Sequence, residues 1–219
     1  VKYAILLFLP ILLAGCHSLA PPSPHQSSYG IQLRGEITEA EAKAIDKLLG
    51  VLPERVVKSI VSISVRDSEH FVGGEAAHCR YDRHICLKKW YALVHYVFWH
   101  EVAHSYTYYL GYQEDSNFRT EWRKIAGDAY SRPDKNSLKY PYNGVLTRYG
   151  STNHDEDIAE WFADVYTFLT DPWGIWSNIS YLKNFGELYK EPYAGKLKLL
   201  RDYGFVSKEN YEKLTGSTK

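Results

Sequence analysis

Residues 88–111 read KKWYALVHYVFWHEVAHSYTYYLG, with no proline and no glycine before Gly111, which predicts one long helix over Lys88 to Gly111. Within it stands His100-Glu101-Val102-Ala103-His104, an HExxH pattern. Four residues apart on a helix, the two imidazoles share one face and can reach one Zn²⁺ at about 2.0–2.1 Å. Glu101 lies one step round, where its carboxylate can take a proton from a water on the metal. A match of this kind arises by chance in roughly one chain of such composition in forty. The pattern therefore needs a helix to carry it and a third ligand to complete it.

The chain has 219 residues, 45% hydrophobic and 24% charged, enough for one domain with a real core. Lys+Arg 26 against Asp+Glu 26 leaves no net charge to steer the protein to phosphate backbones, so nucleic acid is not an expected partner. Upstream of the long helix, Thr38 with Glu39 and Glu41 reads as a capped helix start running to Leu49 before Gly50. The β-branched run around Ile60 to Arg66 predicts a core strand. His78 to Leu87 predicts a hairpin with Asp82-Arg83 at its tip. Downstream, Phe118 to Tyr130 reads as helical, Ser131 to Gly150 as turn-rich, and Glu156 to Thr170 as an amphipathic helix stopped by Asp171-Pro172. Short helices should follow, with the Lys-rich stretch Lys196 to Lys219 a solvated face. Trp90, Tyr91, Val94, Phe98 and Trp99 read as helix core. His95, five residues before His100, lies off the ligand face, and His70, His78 and His84 lack metal spacing.

The first residues read as an address. Lys2, an apolar run Tyr3 to Leu13 too short to span a bilayer, and Leu13-Ala14-Gly15-Cys16 make a secretory signal over residues 1–15. Its end resembles the bacterial lipobox, which implies lipid on Cys16 and a lipid-anchored protein of the cell envelope. His17 in place of Asp implies the outer membrane in a diderm cell. The Pro- and Ser-rich residues that follow suit a flexible tether, 16–29, ahead of one domain over 30–219. Export leaves Cys79 and Cys86, an even number, for a disulfide across the hairpin, which would contribute roughly 2.5 kcal/mol. Reduced core thiols, or a zinc site from His78, Cys79, His84 and Cys86, are the other readings.

The third ligand is not in the next turn: an extended HExxHxxGxxH needs Gly at 107 and His at 110, where Thr107 and Leu110 stand. Residues 149–164, YGSTNHDEDIAEWFAD, offer Glu156, Glu160 and Asp164 four apart, with His154 and Asp155 beside them. A second helix with two acids so spaced resembles the gluzincin plan of thermolysin-like peptidases. More narrowly, a Tyr-Gly pair with Asn four and Glu seven residues after the Tyr, then Ala-Glu and an aromatic, resembles the anthrax lethal factor family, which includes Pro-Pro endopeptidases. The resemblance covers about Ile60 to Leu169.

That resemblance implies an α+β, zincin-like metallopeptidase domain: a small sheet with the active-site helix, then a mostly helical C-terminal part. It implies one zinc per chain on His100, His104 and Glu156, Glu101 as general base, Tyr149 as donor to the developing oxyanion, and Glu160 orienting a ligand histidine. A second register remains open, with Glu160 as ligand and Asp164 as its support. The function so implied is zinc-dependent endopeptidase action on a peptide or protein substrate. The hairpin between Gly74 and Leu87 would bind an extended substrate by strand addition. The alternatives are an envelope lipoprotein that binds a partner without catalysis, and a zinc hydrolase of a non-peptide amide.

Overall fold

A computed structural model describes residues 22–67, 76–79, 82–89, 95–112, 117–171 and 177–216. Among them a five-stranded mixed sheet packs against helices in an α+β arrangement. The strands are β1 (Pro22–Gln26), β2 (Gln32–Gly35), β3 (Ser62–Arg66), β4 (Ala77–Cys79) and β5 (His84–Lys88), in the order β1-β2-β3-β5-β4. β2, β3 and β5 are parallel; β1 and β4 run antiparallel to their neighbours at the two edges. Gly35 lets β2 approach β3: its φ is +88°, and a Cβ there would lie 2.2 Å from the Val65 carbonyl oxygen.

Helix α1 (Glu39–Leu49) starts at Thr38 with a full capping box, Thr38 Oγ1 accepting from Glu41 N and Glu41 accepting from Thr38 N. It buries Ile45, Leu48 and Leu49, and the short α2 (Glu54–Val57) leads into β3. Helix α3 (His95–Tyr112) is apolar on almost every side because β4 and β5 cover one flank and α5 (His154–Thr170) another. Phe98, Trp99, Val102, Ala103, Tyr106 and Leu110 are buried along it, each large side chain contributing on the order of 2 kcal/mol. Helix α4 (Asn117–Ala126) buries Phe118, Trp122 and Ala126, one turn apart. Helices α6 (Asn178–Asn184), α7 (Tyr193–Asp202) and α8 (Lys208–Thr215) close the C-terminal side. No helix among the described residues is long and apolar enough to cross a membrane.

Several expectations are corrected. Within the expected tether, Pro22–Gln26 form strand β1; an edge position tolerates prolines because one side of the strand needs no donors. Lys88 ends β5, paired with Arg66, rather than beginning the long helix. Helix α4 stops at Ala126, short of Tyr130, and α5 begins two residues before Glu156. The Cys79 and Cys86 disulfide is not formed. β4 and β5 pair His78 with Cys86 and Cys79 with Ile85, so the two thiols project from opposite faces of the sheet. Lys196, expected on a solvated face, is fully buried. The signal segment 1–15, Cys16, His70, Gly74, Trp90, Tyr91, Val94 and Pro172 lie outside the described residues.

Candidate metal centre

The centre forms where α3 crosses α5. Asn153 caps α5, its side-chain oxygen accepting from Asp155 N at 2.9 Å and Glu156 N at 3.1 Å. This cap fixes the start of the helix, so that Glu156 and Glu160, one turn apart, both face the histidines of α3. His100 Nε2 lies 3.1 Å from Glu156 Oε2 and 3.1 Å from His104 Nε2, and His104 Nε2 lies 3.4 Å from Glu156 Oε2. Four-coordinate zinc with bonds of about 2.0–2.1 Å separates its ligand atoms by about 3.3 Å. The three atoms thus have the spacing of one face of a tetrahedral site, and His100, His104 and Glu156 can hold a metal ion.

Glu160 does not join that triangle. Its Oε1 lies 3.0 Å from His100 Nδ1, the far side of the ring. Its Oε2 accepts from Tyr96 Oη at 2.8 Å and Thr147 Oγ1 at 2.6 Å. A carboxylate at Nδ1 holds the proton there and leaves the Nε2 lone pair for a metal. Burial works against the charge on Glu160, but the hydrogen bonds from His100, Thr147 and Tyr96 outweigh it and hold the carboxyl below its usual range. Burial would likewise lower His100, yet Glu156 and Glu160 push it up to about 10. Glu156 is correspondingly held below the carboxylate range against its own burial.

Glu101 is buried beside this group and shares with His100, Tyr149, Glu160, Tyr96, Val97, Ala76 and Ala77 a cavity of about 240 Å³. Burial raises its carboxyl, while its Oε2 has no hydrogen-bond partner among the described residues and the Cys79 main-chain N–H of β4 donates to the group. Tyr149 is 56% exposed, its ring 5.7 Å from that of His100. Burial and the charge of Glu156 raise its phenol to about 12, so it stays a donor at neutral pH.

Asp164, the alternative support, lies outside the site. One turn beyond Glu160, it accepts from Asn178 N at 3.1 Å, Ile179 N at 2.6 Å and Ser177 Oγ at 3.1 Å, which makes it an anchor for the start of α6. His154 and Asp155 turn outward to Arg123 and Arg119. His95 packs on Trp99. Tyr96 and Thr147, which no sequence motif marks, also belong to the site through Glu160. Tyr96 stands four residues before His100, on the same helix face, and that spacing is a usable signal; Thr147 carries none.

No protein-family model, curated protein or solved structure matches the chain. The arrangement itself is therefore the ground for a functional reading.

Proposed function

We propose that the protein is a zinc-dependent endopeptidase with a zincin-like active site, acting on a peptide or protein substrate. One observation carries this: two imidazole nitrogens and a carboxylate oxygen stand 3.1–3.4 Å apart, with a buried, incompletely partnered carboxylate, Glu101, in the adjoining cavity. Structural zinc prefers four closed protein ligands, often cysteines, whereas three ligands beside an open cavity suit catalysis. The buried Oε2 of Glu101, without a hydrogen-bond partner among the described residues, is consistent with a group that meets a water in the cavity.

Zinc held by His100, His104 and Glu156 would supply Lewis acidity toward a water and a substrate carbonyl. Glu101 removes the proton of the attacking water, its basicity raised by burial, and passes it to the leaving amine nitrogen. Tyr149 donates its phenolic hydrogen to the oxygen on which negative charge develops. Glu160 keeps His100 in the tautomer that presents Nε2. β4 is an edge strand with Ala77 on the cavity, so an extended peptide can add to it by main-chain hydrogen bonds. Attachment to a bacterial envelope through lipid on Cys16 completes the proposal and rests on the lipobox resemblance alone.

The test is Glu101→Gln assayed with wild type on a peptide library. Zinc should stay bound while turnover falls at least 10²-fold, in the range of a lost general base. A zinc-loaded wild type that cleaves no peptide but hydrolyses non-peptide amides would replace the endopeptidase reading. Zinc with no hydrolysis at all would leave a binding protein.

A further inference from the structure

Tyr149 is the one proposed catalytic group whose own side chain is mostly exposed, so its packing cannot fix its place. Its neighbours do. On one side Thr147 Oγ1 accepts from Gly150 N at 2.9 Å and donates to Glu160 Oε2 at 2.6 Å. A hydroxyl has one proton, and with the Gly150 N–H on a lone pair that proton is committed to the carboxylate. On the other side Gly150 packs closely on α5: a Cβ there would lie 3.3 Å from Asp157 Cα and 3.4 Å from Thr147 Oγ1, so a side chain would push these neighbours by a few tenths of an ångström. The segment leading to Thr147 is itself held, because the Gly144 carbonyl accepts from Trp161 Nε1 and Lys196 Nζ, each at 2.8 Å, and Val145 and Leu146 are buried.

We infer that Thr147 is a positioning residue that ties the metal site to the oxyanion donor: one hydroxyl steadies Glu160, and through it His100, while its lone pair holds the turn that presents Tyr149. This rests on the function proposed above. His100 and Tyr149 come from elements far apart in sequence, and Thr147 is a hydrogen-bonded link between the carboxylate behind His100 and the turn that carries Tyr149, beside the direct bond of the Tyr149 hydroxyl to Glu156. Tyr96 reaches the same oxygen of Glu160 from α3 but does not touch the turn.

The experiment compares Thr147→Val, which keeps the branched shape without the hydroxyl, and Thr147→Ser, which keeps the hydroxyl without the methyl. Zinc dissociation constants come from competition with a chromophoric chelator, and folding is checked by circular dichroism and thermal melting. Thr147→Val should bind zinc 10- to 100-fold more weakly, the usual range for loss of a group supporting a ligand, and Thr147→Ser within about threefold of wild type. In the peptide assay Tyr149→Phe should cost kcat less in the Thr147→Val background than in wild type, because the tyrosine is no longer held. If Thr147→Val fails to fold, Thr147→Ala serves as the second hydroxyl-free variant. Wild-type zinc affinity in a folded hydroxyl-free variant, or a serine variant as weak as valine, would overturn the inference. A wild type that binds zinc without cleaving peptides removes the endopeptidase reading and leaves the zinc comparison decisive for Thr147. A wild type that binds no zinc overturns both.

Discussion

Asp157 and Lys196 form an ion pair with no exposed side-chain surface, one residue along the chain from the metal-site carboxylate Glu156. Trp122 Nε1 at 2.8 Å and Tyr130 Oη at 2.6 Å also donate to Asp157 Oδ2, while Lys196 Nζ reaches the Gly144 carbonyl and lies over the Trp122 ring. The pair joins α5, α7 and the turn-rich segment behind Tyr149. Burial pushes the Asp157 carboxyl up and the Lys196 amine down, each against the pull of the other's opposite charge.

Removing one partner should therefore cost much more than removing both. Lys196→Met strands a buried carboxylate and is expected to lose about 3–5 kcal/mol in urea unfolding, with Asp157→Asn/Lys196→Met recovering part of the loss. A Lys196→Met protein as stable as wild type would show that the pair does not hold these elements together.

Metal binding should be linked to protons. In the metal-free protein His100 is raised to about 10, against its burial, by Glu156 and Glu160. A histidine raised in the folded state adds stability that is whole below its unfolded value of about 6.5 and lost as pH climbs through the folded value. Chelated protein should thus lose thermal stability from pH 7 to pH 10. At neutral pH zinc should also displace about one proton, read from calorimetry in buffers of different ionisation enthalpy. Flat stability over that window together with no proton release would contradict the site's electrostatics.

The cysteine register has its own test. Burial raises both the Cys79 and the Cys86 thiols, so neither should alkylate readily at pH 8 in the native protein, and both should do so in denaturant without reductant. Peptides that stay linked until a reductant is added would place the thiols opposite one another and contradict the pairing of Cys79 with Ile85.

Local signals in the sequence carried much of this architecture. The Thr38 cap, the strand at Ser62–Arg66 and the three HExxH residues each depend on neighbours within a few positions, and each stands where its pattern pointed. The Tyr149 to Glu156 interval also has a physical cause visible only in three dimensions, with Gly150 packed on α5 and Asn153 capping it. What could not be read was set by pairing across distance. A one-residue choice of hairpin register separates the two cysteines. A lysine among lysines looks solvated until Asp157, 39 residues away, draws it inside. Pro22–Gln26 lacks strand composition and is ordered by its neighbour β2. Glu160 and Glu156 are alike in sequence, and only the direction from which each meets His100 separates them.

The central claim is that His100, His104 and Glu156 hold a zinc ion while Glu160 supports it. The most direct measurement is elemental analysis of metal per chain for wild type, Glu156→Ala and Glu160→Ala, each verified as folded. The expected result is one zinc in wild type, its loss with Glu156→Ala, and zinc retained at weakened affinity with Glu160→Ala. Loss with Glu160→Ala alone would move the ligand by one turn of α5, and a folded wild type that takes up no zinc when it is offered would contradict the account at its root.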